Sequence, residues 1–144
     1  MKPFMNISLL LLVIVICLSQ PLVIHSILGK YTVHIINGFQ NNEVLHAHCK
    51  SKDDDLGFRE ISMNEEFNWT FRRNIGDTTL FFCNMWWSGG HLVFNVYDAK
   101  DDTILTNCSY GGSRGECMWR MNEDGIYLYN MEYHEYHSMH KWGP

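Results

Sequence analysis

From residue 31 onwards, apolar and polar side chains alternate with a period of two in several short runs. Such alternation indicates β-strands that place one face in a core and the other in solvent. The runs are Tyr31–Ile35, Leu45–Lys50, Phe67–Arg72, Leu92–Tyr97 and Cys117–Met121. A further run, Leu80–Trp87, is apolar on both faces, so we expect it to lie in the interior of a sheet.

Clusters of turn-forming residues separate these runs. They are Asn37-Gly38, Asp53–Gly57, Asn74–Asp77, Ser88–Gly90, Gly111–Ser113 and Asp124-Gly125. Turns spaced about 8–12 residues apart are typical of sandwiches and barrels. No long stretch has helical periodicity. The sequence therefore predicts an all-β fold, a small antiparallel β-sandwich of about seven to eight strands, forming one domain over residues 27–144.

The N-terminal segment has the features of a secretory signal peptide. Lys2 precedes the almost entirely apolar run Ile7–Leu18, whose length suits a signal sequence and is short of the about 20 residues that span a bilayer. Cleavage after Ser19 or after Ser26 leaves a small residue at the cut, and both sites stay open. We take the first 26 residues as the signal peptide; an uncleaved anchor is the alternative, because Leu22–Ile24 prolongs the apolar stretch.

Signal cleavage decides how the cysteines are interpreted. Cys17 leaves with the signal, and Cys49, Cys83, Cys108 and Cys117 remain in an oxidising compartment. Zinc is a weaker alternative, because no Cys-x-x-Cys pair is present. Four cysteines allow three disulfide connectivities. Since Cys49 and Cys117 each share a strand face with apolar residues, both are expected to face inward and could bridge the two sheets. Our hypothesis therefore pairs Cys49 with Cys117 and Cys83 with Cys108.

Composition and charge exclude some classes of partner. Aromatic residues make up 14% of the chain, enough to build a core, so disorder is not expected. The net charge is −5, from 11 basic and 16 acidic residues. Because a duplex partner requires a basic surface, no nucleic acid ligand is predicted. The same acidity argues against docking on anionic lipid, so no membrane insertion is expected after signal cleavage.

The sequence offers no catalytic or metal constellation, so no catalytic residue, metal or cofactor is predicted. The acidic cluster Asp53–Asp55 lacks the ligand spacing of a calcium loop and is interpreted as a solvated turn, as are Asp98, Asp101 and Asp102 beside Lys100. Three histidines recur at every third position: His134, His137 and His140. Residues three apart on a strand point to opposite faces. We therefore expect His134 and His140 on one face and His137 on the other, unable to converge on a metal.

Two sequons lie in the predicted domain, at Asn68-Trp69-Thr70 and Asn107-Cys108-Ser109. Asn68 is the better glycosylation candidate, because its neighbours Phe67 and Trp69 are expected to face the core and leave Asn68 in solvent. Asn107 is the poorer one, because the bridged Cys108 pins its loop.

Several blocks, in order along the chain, resemble the plant self-incompatibility protein family. They are His48–Gly57, Phe67–Arg72, a set from Gly76 to Trp86, Phe94–Asp98, Cys117–Trp119 and Asp124–Tyr127. The resemblance extends from Tyr31 to Trp142. It implies a small secreted plant protein with a β-sandwich fold and a role in cell-surface recognition. The family has no catalytic residues to carry over.

The predicted function is that of a secreted, monomeric signalling ligand recognised by a cell-surface receptor. Polar turns on a rigid scaffold are the expected contact surfaces. The residues singled out for this role are Asp53, Asp54, Asp55, Asn74, Asp77 and Arg114. One alternative is a defence or carbohydrate-binding module with exposed aromatic residues such as Trp86 or Trp87. The other is a secreted hydrolase that uses the C-terminal histidines.

Overall fold

A computed structural model of the chain describes residues 4–19, 29–110 and 114–144. Within these ranges the secondary structure is almost entirely β. The elements are α1 (Ile7–Leu18), β1 (Lys30–Asn37), β2 (Leu45–Lys50), β3 (Asp55–Ile61), β4 (Glu66–Arg72), β5 (Leu80–Trp87), β6 (Gly90–Asp98), α2 (Asp102–Cys108), β7 (Arg114–Asn122), β8 (Gly125–Asn130) and β9 (Glu135–His140).

The strands form two sheets that pack face to face. Sheet A has the order β4-β1-β7-β8-β9, and sheet B has the order β3-β2-β5-β6. Neighbouring strands are antiparallel, except that β1 and β7 run parallel, with Val33 opposite Cys117. The predicted all-β sandwich is therefore confirmed, with one parallel pair that the prediction of a purely antiparallel fold did not include.

The period-two alternation determines which side chains enter the core. Tyr31, Val33 and Ile35 on β1 are at most 3% exposed, and Trp119 on β7 is fully buried. The indole N–H of Trp119 donates to the carbonyl of Val96 on the opposite sheet, at 2.9 Å. Each such side chain contributes about 1.5–3 kcal/mol by leaving water. The interior position predicted for Leu80–Trp87 is also confirmed, since β5 lies between β2 and β6.

A short helix, α2, begins where the sequence predicted only a solvated turn, around the acidic residues 98–102. The carboxylate of Asp101 accepts hydrogen bonds from the backbone N–H groups of Thr103 (2.9 Å) and Ile104 (3.2 Å). Asp101 is therefore the N-cap of α2, where a short acidic side chain satisfies N–H groups that have no partner within the helix. Asp102 occupies the first turn, where a negative charge is favourable.

The disulfide hypothesis is wrong: Cys49 is bonded to Cys83, and Cys108 to Cys117. All four cysteines are at most 1% exposed, and for Cys49 and Cys117 this agrees with the inward facing that strand parity indicates. Strand parity, however, does not show which two cysteines lie closest to each other in the fold. Cys49 and Cys83 lie directly opposite each other on antiparallel β2 and β5, with Cα atoms 4.1 Å apart. Cys108 ends α2 beside β7, 4.6 Å from Cys117, so neither bridge joins the two sheets.

The helix α1 stands outside this core, because none of its residues is buried. The backbone N–H of Ser19 caps it by donating to the carbonyl of Val15. The other candidate cleavage position, after Ser26, lies outside the described residues. Across the described ranges, no helix combines the length and apolar character needed to cross a membrane.

Candidate recognition surface

One end of the sandwich gathers most of the turns predicted to mediate recognition. There β2 leads through the turn 51–54 into β3, and β4 leads through the loop 73–79 into β5. The last residue of β4, Arg72, lies opposite Lys30 at the start of β1, which lies opposite Arg114 at the start of β7. We call this region, comprising residues 51–54 and 72–79 with Lys30 and Arg114, the loop end.

The turn 51–54 presents two exposed carboxylates. Ser51 closes the turn, because its N–H donates to the carbonyl of Asp54 (2.8 Å) and its hydroxyl accepts from the N–H of Asp54 (3.1 Å). The side chains of Asp53 and Asp54 are exposed, and neither enters an ion pair with another described residue. Both charges are therefore available to a partner.

Asp55, which the sequence groups with these two residues, has a structural role. Its Oδ1 accepts from the N–H of Gly57 at 2.9 Å and lies 2.6 Å from Nε2 of His48. The Gly57 hydrogen bond, followed by that of His48, holds the pKa of the Asp55 carboxyl below its usual range. Gly57 adopts a positive φ of 77°, which glycine tolerates without strain. Asp55 thus fixes the start of β3 rather than offering a free charge.

The loop 73–79 is ordered by the side chain of Asn74. Its amide donates to the hydroxyl of Thr78 (2.5 Å) and accepts from the N–H of Thr78 (2.8 Å). The backbone N–H of Asn74 also donates to the hydroxyl of Thr79. Asp77, with a positive φ of 50°, forms an ion pair with Arg73 at 2.7 Å. Asn74 and Asp77 therefore hold this loop in one conformation by pairing with its other polar side chains, Arg73, Thr78 and Thr79.

The two turns enclose one open cavity of about 420 Å³. Asp53, Asp54, Asn74 and Arg72 line it, together with apolar residues such as Phe71. Protein interfaces commonly combine an apolar centre with a polar rim. A lining of this kind can accept a side chain or loop of a partner.

Charge is unevenly distributed across the loop end, and Lys52 places one exposed cation within the acidic turn. The exposed cations Arg72, Lys30 and Arg114 occupy neighbouring strands of sheet A, and we call them the basic row. The acidic turn with Asp53 and Asp54 lies on sheet B. The remaining predicted contact segment, residues 111–113, lies outside the described residues. Such a polarised surface orients an approaching charged partner.

The two glycosylation candidates differ sharply in the structure. Asn68 is exposed on β4, and the hydroxyl of its sequon residue Thr70 pairs with Thr32 at 2.8 Å. Asn107 is 5% exposed, donates to the carbonyl of Thr103 (2.8 Å) and accepts from the amide of Asn130 (2.9 Å). A glycan on Asn107 would have to leave from a buried side chain that is held by both bonds. The burial of Asn107 therefore supports its lower rank as a glycosylation candidate, which stays a prediction.

The C-terminal histidines do not have the predicted facing. In β9, His137 lies opposite Leu128 and His140 lies opposite Ile126, with a bulge between them, so both histidines lie opposite inward-facing residues. His134 lies in the preceding turn, with φ 57°. The bulge inserts one residue and so breaks the alternation on which the prediction rested. His140 packs on Phe94 (4.9 Å between ring centroids), and burial lowers its pKa. No cluster of three potential metal ligands exists among the described residues.

The tryptophan pair at the end of β5 divides between core and surface. Trp87 packs against Phe39, with ring centroids 4.6 Å apart, and so belongs to the interior. Trp86 points outward and stacks on His46, with ring centroids 5.3 Å apart and an angle of 8° between the ring planes. Phe58, 71% exposed, approaches Trp86 edge-on from β3. Sequence reasoning missed Phe58, because a single aromatic residue in a polar edge strand gives no periodic signal.

Fold and surface together define a class: a small disulfide-held β-sandwich with a polar, charged loop end. Comparison with known proteins narrows the class. The model of the family "Plant self-incompatibility protein S1" matches residues 32–142. S-protein homolog 1 of Arabidopsis thaliana is 35% identical over 80% of this chain and 73% of its own length, and S-protein homolog 74 of the same plant is 34% identical over the same shares. The chain belongs to the plant self-incompatibility protein S1 family.

A solved structure agrees at the level of the fold. A self-incompatibility protein homologue, from a widespread family of small, highly stable, secreted plant proteins, superposes with a TM-score of 0.61 at 14% identity. The alignment covers 81% of this chain and 97% of that one. The predicted family and fold are thereby confirmed. Secretion is confirmed as the property of the family.

Proposed function

We propose that this protein is a secreted signalling ligand that acts, as a monomer, by being bound by a cell-surface receptor rather than by catalysis. The observation that carries the proposal is the loop end, where the acidic turn, the Asn74 loop and Arg72 of the basic row line one cavity. The residues of this end sit on a rigid core, so they vary at little cost to stability.

The proposal includes the processing of the chain. Residues 1–26 form the signal peptide, and residues 27–144 form the secreted domain. The apolar α1, which buries none of its residues, supports this division. N-terminal sequencing of the protein recovered from the medium of expressing plant cells tests it. A first residue outside the range 20–30 would contradict the proposed cleavage.

Cell binding tests the receptor hypothesis. Labelled protein recovered from the medium is expected to bind some plant cell surface saturably, and protease treatment of the cells is expected to abolish the binding. The double variant Asp53→Asn/Asp54→Asn is expected to weaken binding at least tenfold, because two unpaired charges of the loop end are lost. Its matched control is Glu60→Gln/Glu65→Gln, which removes the same charge from two exposed positions towards the opposite end of the sandwich and is expected to bind within twofold of the wild type.

Salt dependence separates electrostatic contact from a general effect of the variant. The association rate of the wild type is expected to fall as ionic strength rises, and that of the double variant to change less. Equal loss of binding in both double variants would contradict the assignment to the loop end. Turnover of a substrate, abolished by one polar substitution in a protein that stays folded, would overturn the ligand hypothesis altogether.

A further inference from the structure

A second cavity, of about 500 Å³, opens on the outer face of sheet A away from the loop end. Its lining includes Arg120, Tyr127, Tyr136, Gln40 and Gly38. It lies where β7 turns into β8, whereas the loop end lies where β7 begins. Its size is that of a small-ligand site. Nothing in the receptor proposal uses it.

Arg120 is the chemically distinctive group of this cavity. It is half-buried and forms no ion pair with any other described residue. Its Nε lies 3.3 Å from the side-chain amide of Asn122, and its Cζ lies 6.0 Å from the ring centroid of Tyr136. The hydrogen bond uses only Nε, and Arg120 lines the cavity, so its terminal nitrogens are available to a ligand. A guanidinium fork of this kind binds a carboxylate through two parallel hydrogen bonds.

Gly38 allows Arg120 to take this position. A Cβ atom at residue 38 would lie 2.7 Å from Nε of Arg120 and 2.2 Å from Oδ1 of Asn122, closer than real Cβ contacts. Both clashing atoms belong to flexible side chains, so any larger residue at position 38 would displace them from the cavity. Gly38 therefore supplies the space in which the guanidinium lies.

The charges at the rim limit what the cavity accepts. Glu123 and Asp124 bring two negative charges, and Arg120 and Lys141 bring two positive ones. Lys141 lies at the edge, where its ammonium donates to the carbonyl of Asp124 at 2.9 Å. A phosphate monoester, which carries up to two negative charges, would be repelled more strongly by the two rim carboxylates than a single carboxylate group would be. A uronic acid places one carboxylate at Arg120 and leaves the rest of that sugar ring uncharged.

The geometry points to a binding site for an acidic saccharide, a sugar chain whose uronic acid carboxylate pairs with Arg120. The tyrosine rings of Tyr127 and Tyr136 offer apolar faces to the C–H groups of a sugar ring, and the side chains of Gln40, Glu123 and Asp124 offer hydrogen-bonding groups to its hydroxyls. A peptide C-terminus needs an apolar pocket for its last side chain, and the lining has no aliphatic side chain to form one. The chemistry therefore favours a uronate sugar over a peptide.

Titration calorimetry of the protein recovered from the medium of expressing cells tests the site, with trigalacturonic acid as the probe. Saturable binding is expected, and it is expected to weaken at least tenfold when the probe is fully methyl-esterified, because the ester removes the negative charge. The variant Arg120→Gln is expected to weaken binding of the free acid by at least tenfold and to leave binding of the ester unchanged. Arg59→Gln is the matched control, because Arg59 is an exposed arginine on β3 that lines neither this cavity nor the loop end, and it is expected to bind within twofold of the wild type.

Gly38→Ala provides a second variant that keeps every charge. It is expected to weaken binding by displacing Arg120, while circular dichroism shows the fold retained. No saturable binding of trigalacturonic acid overturns the proposal, and so does equal binding by Arg120→Gln and wild type. Arg120-dependent binding of a pentapeptide carboxylate without binding of the sugar also overturns it. Because the loop-end variants leave this cavity intact, failure here leaves the receptor hypothesis standing.

Discussion

The two disulfides are expected to stabilise the domain unequally, because they close loops of different length. Cys49 and Cys83 are separated by 34 residues, whereas Cys108 and Cys117 are separated by 9. The chain-entropy relation then gives about 3.8 kcal/mol for the first bridge and about 2.6 kcal/mol for the second. The longer bridge is therefore worth about 1.2 kcal/mol more in the free energy of unfolding.

Paired alanine variants measure this difference. All four sulfur atoms belong to residues at most 1% exposed, so the loss of buried side-chain volume is closely matched between Cys49→Ala/Cys83→Ala and Cys108→Ala/Cys117→Ala. Urea unfolding, followed by tryptophan fluorescence, gives the free energy of unfolding of each variant. In a thermal melt, each kcal/mol lost corresponds to a fall of about 4 °C in Tm. Non-reducing peptide mapping first checks the pairing. If losing the short bridge costs more than losing the long one, loop entropy is not the main source of stabilisation.

Three further outcomes are expected. Burial lowers the pKa of His140 despite an opposing effect of Asp101, so below the ordinary value of 6.5 the unfolded chain takes up more protons than the native one. The stabilising contribution of the neutral imidazole is therefore complete above that pH and falls below it. In urea titrations, His140→Gln is expected to lose less free energy of unfolding than the wild type between about pH 7.5 and about pH 5. Asn130→Ala removes the acceptor for two backbone N–H groups and the donor to Asn107, and this is expected to lower the free energy of unfolding by about 1–3 kcal/mol. A loss under about 0.5 kcal/mol in the same titrations, which is the range of surface changes, would show that these hydrogen bonds do not stabilise the fold. Asn68→Gln is expected to abolish the glycosidase-sensitive shift of the secreted protein on a gel, and a shift that persists in this variant would reverse the ranking of the two sequons.

The sequence predicted the inward faces of the strands well, because local alternation is a direct record of burial. It placed Val33, Cys117 and Trp119 in the core, and all three are fully buried. It missed β3 (Asp55–Ile61), since an edge strand in which only Ile61 is buried carries no alternation. It missed α2 because seven residues are too few to show helical periodicity, although the capping residue Asp101 was visible.

Relations between distant strands were beyond local reasoning. Parity correctly gave the facing of Cys49, but the identity of its partner depends on which strand lies alongside β2, which only the topology determines. The loop-end cavity depends likewise on two turns that are adjacent in space and more than 20 residues apart, at Asp53 and Asn74. Arg120 gave no sequence signal at all, because an arginine between two apolar residues is read as an ordinary solvent-facing position.

The parallel pairing of β1 with β7 has a consequence for how the chain is assembled during synthesis. Lys30 finds its partner Arg114 only after 84 further residues have been made, which takes about 4–17 s at ordinary rates of translation. β4 arrives much earlier and covers one edge of β1, but the other edge stays open until the last third of the chain emerges. Throughout that interval β1 offers a bare strand edge with apolar residues beside it. Nascent chains stalled before residue 114 are therefore the species that chaperones of the secretory pathway have to protect.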